Sequence, residues 1–289
     1  MKKNIIALSV VLVTAMLFTA CFGSNTGTTV NEPVVANVAE QEPELREEDV
    51  SLDCEEQPVQ EFERVPQNVT AVSAGPWHTL AVTESGTLWG WGGMAHPWTP
   101  VIIGDGTEEQ RLTPVPIMEN VVSASAGEYH SLAITSDNTL WAWGQNFVGQ
   151  LGDGTTEDRL SPVPIMEGVI YATIAPTTAN SSVMESQRSF AITEKGTLWG
   201  WGINRIGQLG DGTDEPRLAP VHILDNVVYI ASNYYMSHWN GWIDFVNTFA
   251  VTACGALWAW GGGGMVEITI GDGTFENHRV PVLIIDSYR

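Results

Sequence analysis

Basic residues are scarce in this sequence of 289 residues. It contains 12 Lys and Arg against 34 Asp and Glu, which gives a formal net charge of -22 at pH 7. Proteins bind nucleic acids through Lys and Arg that displace the counterions of the phosphates, so this composition disfavours a nucleic-acid partner. The simplest interpretation of such an acidic surface is solubility.

Cysteine is also rare, with three residues in the chain. Cys54 and Cys254 are compatible with one disulfide outside the cytoplasm, and equally with two free thiols. No spacing of Cys and His resembles a metal-binding motif, and we predict neither a metal site nor a cofactor.

Long apolar runs are absent except near the start. Residues 5–20 are apolar, but a membrane-spanning helix needs about 20 such residues. Two lysines precede this stretch and small residues end it, which predicts a secretory signal peptide over residues 1–20. The cysteine that follows, Cys21, resembles the lipidated cysteine of bacterial lipoproteins. That resemblance implies an exported protein, anchored by lipid at the cell membrane or cell surface; ordinary secretion is the alternative.

Residues 21–64 contain little apolar material to bury. Between Glu32 and Glu63 the chain has 12 acidic residues and one arginine. Because like charges repel, we predict a disordered acidic tether here.

Beyond the tether the sequence repeats itself four times. The pattern Leu-Trp-x-Trp-Gly begins at Leu88, Leu140, Leu198 and Leu257. The pattern Gly-Asp-Gly-Thr follows each copy, at Gly104, Gly152, Gly210 and Gly271. Two markers in constant order predict one domain over residues 65–289. Its units are about 65–120, 121–168, 169–226 and 227–289.

Each unit has the pattern of short antiparallel strands. In the first, residues 79–83 alternate in polarity and residues 84–86 suit a tight turn, where Gly86, Asn138, Gly196 and Gly255 tolerate a positive φ. Trp89 and Trp91 share one strand face, and a small residue always lies between such indoles, which we expect to let a neighbouring sheet approach. The Pro-rich segment that follows belongs at a sheet edge or in its first residues. We therefore predict an all-β fold of propeller blades with four strands per unit and no helix.

Residues 146–155, Asn-Phe-Val-Gly-Gln-Leu-Gly-Asp-Gly-Thr, recur almost unchanged at 204–213. With the Leu-Trp-x-Trp-Gly strands, they resemble the repeats of the regulator of chromosome condensation family over about residues 65–289. The resemblance implies a β-propeller of four-stranded blades. The family ring normally has seven blades and this chain has four units. Three arrangements stay open: four blades close alone, two chains complete a ring by association, or the open edges are covered by something else.

Several residues invite a catalytic interpretation that their repetition argues against. Asp105, Asp153, Asp211 and Asp272 occur once per unit, which favours a role in turns over metal binding or acid catalysis. His78 and His130 share one repeat position, and we expect structural hydrogen bonds from them. We expect the eight Trp of the Leu-Trp-x-Trp-Gly strands in the core. The founding family member exchanges nucleotide on a GTPase on chromatin, and neither activity suits an exported acidic protein. We predict no enzyme activity.

The units differ most between their first and second strands. Units three and four expand there to residues 175–187 and 233–246, and insertions at one repeat position should emerge on one face. The ligand-binding candidates are Trp77, Trp98, Tyr129, Tyr234, Tyr235, His238, Trp239 and Trp242. The aromatic residues of unit four either bind a ligand or fold over an open blade edge. We favour a non-catalytic binding or scaffold module for a protein or peptide; the alternative is a carbohydrate-binding module that uses Trp77, Trp98, Trp239 and Trp242.

Overall fold

A computed structural model of the chain divides into two compact units, Met1–Gln57 and Pro58–Arg289. All described residues lie in the second unit. They are residues 66–93, 102–176, 187–233, 235–237, 243–262 and 269–287, and for 235–237 and 243–245 only the backbone is described. The predicted signal peptide and tether, with Cys21 and Cys54, lie outside the described residues.

Seventeen strands form four antiparallel sheets in the described ranges. Sheet 1 contains β1 (Val69–Ala74), β2 (His78–Thr83), β3 (Leu88–Gly92) and β4 (Arg111–Met118). Sheet 2 contains β5 (Val121–Ala126), β6 (His130–Thr135), β7 (Leu140–Gly144) and β8 (Arg159–Met166). Sheet 3 contains β9 (Val169–Ile174), β10 (Arg188–Thr193), β11 (Leu198–Gly202) and β12 (Arg217–Leu224). Sheet 4 contains β13 (Val227–Ser232), β15 (Ile243–Thr252), β16 (Leu257–Gly262) and β17 (His278–Ile285), and a short β14 (Tyr235–Ser237) pairs with β15.

The fold is therefore all-β and consists of four propeller blades, as predicted. These ranges contain no helix, and therefore no helix that is long and apolar enough to cross a membrane. Within each sheet the four main strands are hydrogen-bonded in chain order. The Pro-bearing strands β4, β8, β12 and β17 lie at a sheet edge, which confirms the prediction from their missing amide donors.

The turns between second and third strands confirm a second prediction. Gly86, Asn138, Gly196 and Gly255 have φ values of 81°, 63°, 75° and 87°. Gly and Asn are the residues that reach this left-handed region at least cost, so local sequence fixes these turns.

The core lies between consecutive sheets. Each of three apolar clusters combines residues of one sheet with residues of the next. Their buried members include Leu80 and Leu88 with Val121 and Trp143, then Leu132 and Leu140 with Val169 and Trp201, then Phe190 and Leu198 with Val227 and Trp260. Burying a Leu, Val or Phe side chain contributes about 1.5–3 kcal/mol, so each sheet depends on its neighbour for stability.

The structure refines what was expected of the eight indoles. The second Trp of the pair is fully buried in three sheets, whereas the other five indoles are half-buried. The small residue between them also has a different role from the predicted one. A Cβ on Gly90 would lie 3.2 Å from Cγ1 of Ile117 and 3.4 Å from Cδ2 of Leu80, both in the same sheet. The space is thus filled by side chains of flanking strands, which in turn contact the next sheet.

Each fully buried indole rests on the preceding sheet in an arrangement that we call the indole seat. The indole N–H donates to a backbone carbonyl, and a glycine one or two residues further along the chain lies against the ring. Nε1 of Trp143, Trp201 and Trp260 donates to the carbonyl of Ile103, Gln150 and Gln208, at 2.8, 2.9 and 3.2 Å. The glycines are Gly104, Gly152 and Gly210, where a Cβ would lie 2.5, 2.7 and 2.6 Å from Nε1. These glycines are the first residues of the Gly-Asp-Gly-Thr pattern, which explains why that pattern accompanies the tryptophans.

The indole seat can be tested with two glycines of one turn. Gly152 and Gly154 have φ values of 81° and 83°, but only Gly152 faces an indole, and a Cβ on Gly154 would have nothing within 4 Å. We expect Gly154→Ala to lower the free energy of unfolding by about 1–2 kcal/mol, through backbone strain alone. Gly152→Ala should cost about 1–3 kcal/mol more, because it also overpacks the seat of Trp201. Denaturant unfolding followed by tryptophan fluorescence measures both, and equal losses would contradict this account.

Candidate binding face

The connection between first and second strands is closed by the same backbone hydrogen bond in every sheet. The N–H of Gly75, Gly127, Ala175 and Asn233 donates to the carbonyl of His78, His130, Arg188 and Asn247, at 2.9, 2.9, 3.1 and 2.9 Å. The intervening residues are 76–77, 128–129, 176–187 and 234–246. The expansions of units three and four therefore occupy one structural position, as their place in the repeat predicts. We call these four connections the connection face.

The connections of three sheets meet around one open depression. Its lining comes from the ends of β1, β5 and β9 and the residues after them: Ala74, Gly75, Pro76, Ala126, Gly127, Ile174, Ala175 and Pro176. The strands approach very closely here, since a Cβ on Gly75 would lie 2.1 Å from the carbonyl oxygen of Gly127. The lining of this depression is thus backbone together with the side chains of alanines, prolines and Ile174.

Sheets 1 and 2 contribute an aromatic pair to the connection face. Trp77 is half-buried, whereas Tyr129 is 7% exposed and its neighbour Glu128 is 3% exposed. Burial, with the negative charge and hydrogen bond of Glu128, raises the pKa of Tyr129 to about 12. Tyr129 consequently remains a neutral phenol and presents little ring surface. Of these two ligand-binding candidates, Trp77 is therefore the more accessible to a ligand.

A row of buried polar side chains lies beneath the connection face, at the residue of each second strand whose carbonyl closes the connection. These are His78, His130, Arg188 and Asn247. Nε2 of His78 lies 2.7 Å from Oγ of Ser131 in the next sheet, and Nε2 of His130 lies 2.9 Å from Oγ of Ser189. The structural hydrogen bonds expected for both histidines are thus confirmed, and they cross between sheets. Burial lowers the pKa of His78 to about 4 and that of His130 to about 3.

The same row joins the bases of the two expanded connections. Nη2 of Arg188, where β10 begins, donates to the carbonyl of Asn233 at 3.1 Å. Asn233 in turn accepts the N–H of Asn247 on its Oδ1 at 2.9 Å, so both ends of the unit-four connection are held. On the other side, Oε1 of Gln187 lies 3.2 Å from Nδ1 of His130. Each expanded connection therefore leaves from a hydrogen-bonded base.

The unit-four connection begins as a hairpin that the sequence did not predict. β14 pairs with the first part of β15, with Tyr235 opposite Phe245 and Ser237 opposite Ile243. The backbone of Tyr235 lies in this hairpin, while its side chain is outside the described residues. The candidates Trp98, Tyr234, His238, Trp239 and Trp242 also lie outside the described residues. Both interpretations of the unit-four aromatics therefore remain predictions.

The repeated aspartates hold turns, as predicted. Oδ1 of Asp153 accepts the N–H and the hydroxyl of Thr155, at 3.0 and 2.7 Å, and Oδ2 accepts Nε of Arg159 at 2.7 Å. Although burial opposes ionisation, these donors lower the pKa of Asp153. Asp105 and Asp211 make the same contacts with Arg111 and Arg217, and Asp272 pairs with His278 instead. The basic partner was not predicted from the sequence, although it lies six residues after each aspartate.

No group of three or more His, Cys, Asp or Glu suited to a metal ion occurs in the part of the chain that the structure describes. Cys254 is an exposed free thiol.

The buried histidines should make stability depend on pH. Both are neutral in the folded protein, whereas in the unfolded chain they take up protons below their ordinary pKa of 6.5. Their contribution is complete above 6.5 and is lost as the pH falls towards the folded values, by about 2 kcal/mol per histidine at about pH 5.

Replacement of both histidines by Asn, the residue at the fourth equivalent position, should remove this loss. Denaturant unfolding of the parent and of the His78→Asn/His130→Asn variant at about pH 7 and about pH 5 gives the difference, while carboxylate effects cancel between them. Each single variant should remove part of it. An unchanged pH dependence in the double variant would show that the histidines do not titrate as described.

Comparisons with known proteins agree with this architecture. Models of the "Regulator of chromosome condensation (RCC1) repeat" match residues 69–96 and 121–150 in one form, and 137–172 and 195–237 in another. The ultraviolet-B receptor UVR8 of Arabidopsis thaliana is 31% identical over 220 residues, which cover 74% of this chain and 45% of the receptor. The probable E3 ubiquitin-protein ligase HERC6 of Homo sapiens is 35% identical over 158 residues, which cover 53% of this chain and 14% of the ligase.

The chain thus spans less than half the length of these relatives. Among solved structures, Prp20p from Saccharomyces cerevisiae superposes with a TM-score of 0.55 at 20% identity, over 77% of this chain and 52% of Prp20p. That similarity concerns the fold alone. With four equivalent sheets joined by a repeated indole seat, these matches show that the chain belongs to the regulator of chromosome condensation (RCC1) repeat family.

Proposed function

We propose that this protein is a non-catalytic binding module of the cell exterior, anchored to the membrane by lipid at Cys21, which presents its connection face to a protein or peptide. The observation that carries the proposal is the hydrogen bond from Arg188 to Asn233, which fixes the bases of the two expanded connections to each other. A rigid frame that holds variable loops side by side is the usual design of a binding surface.

The chemistry of the connection face suits recognition better than catalysis. The two histidines beneath it, His78 and His130, are buried, neutral and engaged with Ser131 and Ser189. General acid–base catalysis needs a group that reaches a substrate and has a pKa near the working pH. These histidines instead hold the sheets together under the loops.

Relatives support a protein partner without identifying it. Prp20p has a structure in complex with Kap60 and has been described with binding properties to Gsp1p and histones. Those partners belong to Prp20p. The net charge of -22 here would repel DNA, and we propose no nucleic-acid partner for this chain.

The proposal predicts that the unit-three connection determines partner capture. Residues 177–186 are replaced by Gly and Ser at constant length, which leaves Ala175 and Gln187 as the hydrogen-bonded base. Capture of a cross-linked partner protein from native cell-surface extracts should fall by at least about tenfold, because a few contacts in a central patch are lost. The matched control replaces the exposed Glu194 and Lys195, in the turn at the opposite end of the same sheet, and should capture as the parent does. Equal capture by both variants would contradict a binding role for this connection.

A carbohydrate ligand is the second candidate, favoured by the half-buried ring of Trp77 on the connection face. On a glycan array, the full chain should then bind a defined glycan class, and alanine at Trp239 and Trp242 should abolish binding. Sugar binding that survives both substitutions would reject this candidate.

Lipid anchoring is tested separately at Cys21. In a bacterial host, Cys21→Ser should remove an acyl-chain mass from the mature N-terminus and release the protein from the membrane fraction. Cys54→Ser is the matched control and should leave both unchanged. A parent protein without the added mass would rule out the anchor.

A further inference from the structure

The contacts between consecutive sheets follow one pattern, which is repeated three times. In each following sheet, the first valine and the second indole of the unit pack against the sheet before it. We call this side of a sheet its rear face, and the side that packs against the following sheet its front face. Val121, Val169 and Val227 are 2%, 0% and 1% exposed, and Trp143, Trp201 and Trp260 are each 0% exposed. These values are the reference for a covered rear face.

The rear face of sheet 1 departs from this reference. Val69, the equivalent of the buried valines, is 43% exposed, and Val72 is 63% exposed although its counterpart Ile230 in sheet 4 is 3% exposed. Trp91 is half-buried, unlike the three indoles that occupy a seat. We call Val69, Val72 and Trp91 the leading face.

The front face of sheet 4 is likewise less buried than the front faces of the other three sheets. Leu257 is half-buried, whereas Leu88, Leu140 and Leu198 at the same position are 0% exposed. Ile285, at the end of the edge strand, is 57% exposed. We call Leu257, Gly271 and Ile285 the trailing face.

The trailing face also contains an indole seat without an indole. A Cβ on Gly271 would approach Ile284 of its own sheet, at 3.3 Å, whereas the equivalent glycines abut the indole of the next sheet. Ile270 precedes Gly271 just as Ile103, which accepts the indole N–H of Trp143, precedes Gly104. The seat of unit four therefore has the same Ile-Gly composition as an occupied one.

We propose that the trailing face of one chain receives the leading face of a second copy, and that the reverse contact closes a two-fold dimer of eight blades. In each contact, Trp91 of one copy occupies the seat at Gly271 of the other and donates to the carbonyl of Ile270. The contact repeats the three internal ones, so no new kind of complementarity is needed. A head-to-tail contact of this kind forms a closed ring when its rotation allows.

Two further observations favour a second copy over another occupant. The chain covers about half of Prp20p, so two copies supply a length comparable to that whole propeller. Eight blades also lie within the range that propellers adopt. The proposal is independent of the connection face, which lies at strand ends and stays accessible in such a dimer.

Sedimentation velocity of the full chain, in a non-ionic detergent that masks residues 1–20, tests the proposal. We expect twice the chain mass of 31.4 kDa. Val72→Glu in the leading face and Ile285→Glu in the trailing face should each weaken the dimer by at least about a hundredfold, because each buries an unpaired carboxylate. Val228→Glu is the matched control: it is 60% exposed on β13 outside both faces, and should remain dimeric.

The arrangement has a further signature. An equimolar mixture of the Val72→Glu and Ile285→Glu chains retains one unaltered contact per pair and should recover part of the dimer. Near-ultraviolet circular dichroism confirms that the variants fold, and Val69→Lys replaces Val72→Glu if that variant does not. A parent that sediments as a monomer would overturn the proposal. A dimer that is lost in the Val72→Glu variant but persists in the Ile285→Glu variant would also overturn it, because that result indicates contact between two leading faces.

Discussion

The seat of a tryptophan ring on a glycine of the preceding sheet is the interaction on which this architecture depends. It combines the burial of a large aromatic surface with a hydrogen bond that satisfies the indole N–H, and both occur between sheets. A single four-stranded sheet cannot bury its own apolar face, so each unit is stable only beside a neighbour. Glycine is required at this position for two reasons: its φ is positive, and any Cβ would clash with the indole ring.

The turn that carries this glycine is itself organised by polar side chains. In units two and three, Asn146 and Asn204 donate from Nδ2 to Asp153 and Asp211, at 3.0 and 2.9 Å, and accept a backbone N–H on Oδ1. The aspartates then bind a threonine and an arginine. The Asn-x-x-Gly-Gln-Leu-Gly-Asp-Gly-Thr sequence therefore encodes a connection that is satisfied internally and presents the seat to the next indole. Unit one keeps the aspartate, lacks the asparagine and still seats Trp143, which shows that the seat needs the glycine more than the complete network.

Frame and binding surface are separated in this protein. The frame comprises the sheets, the seats and the buried row of His78, His130, Arg188 and Asn247, all repeated with modest variation. Variation is concentrated in the connections that leave from the end of that row. Because their bases are held by the frame, the connections of units three and four can change in length and composition without disturbing the contacts between sheets. In the proposed dimer, the same seats that join sheets within a chain also join two chains.

Much of the architecture followed from local sequence, and the remainder required the assembled sheets. The four-stranded units, the positive-φ turns at Gly86 and Asn138 and the edge position of the Pro-bearing strands could be predicted, because backbone preference and side-chain alternation act over a few residues. The partners of the polar groups could not: His78 meets Ser131, and Arg188 meets Asn233, across distances in sequence that no local pattern encodes. The burial of the indoles was likewise decided by the neighbouring sheet, since identical Leu-Trp-Gly-Trp-Gly strands leave Trp91 half-buried and Trp201 fully buried. Sequence determined the repeating unit, and tertiary structure determined which surfaces of each unit are covered.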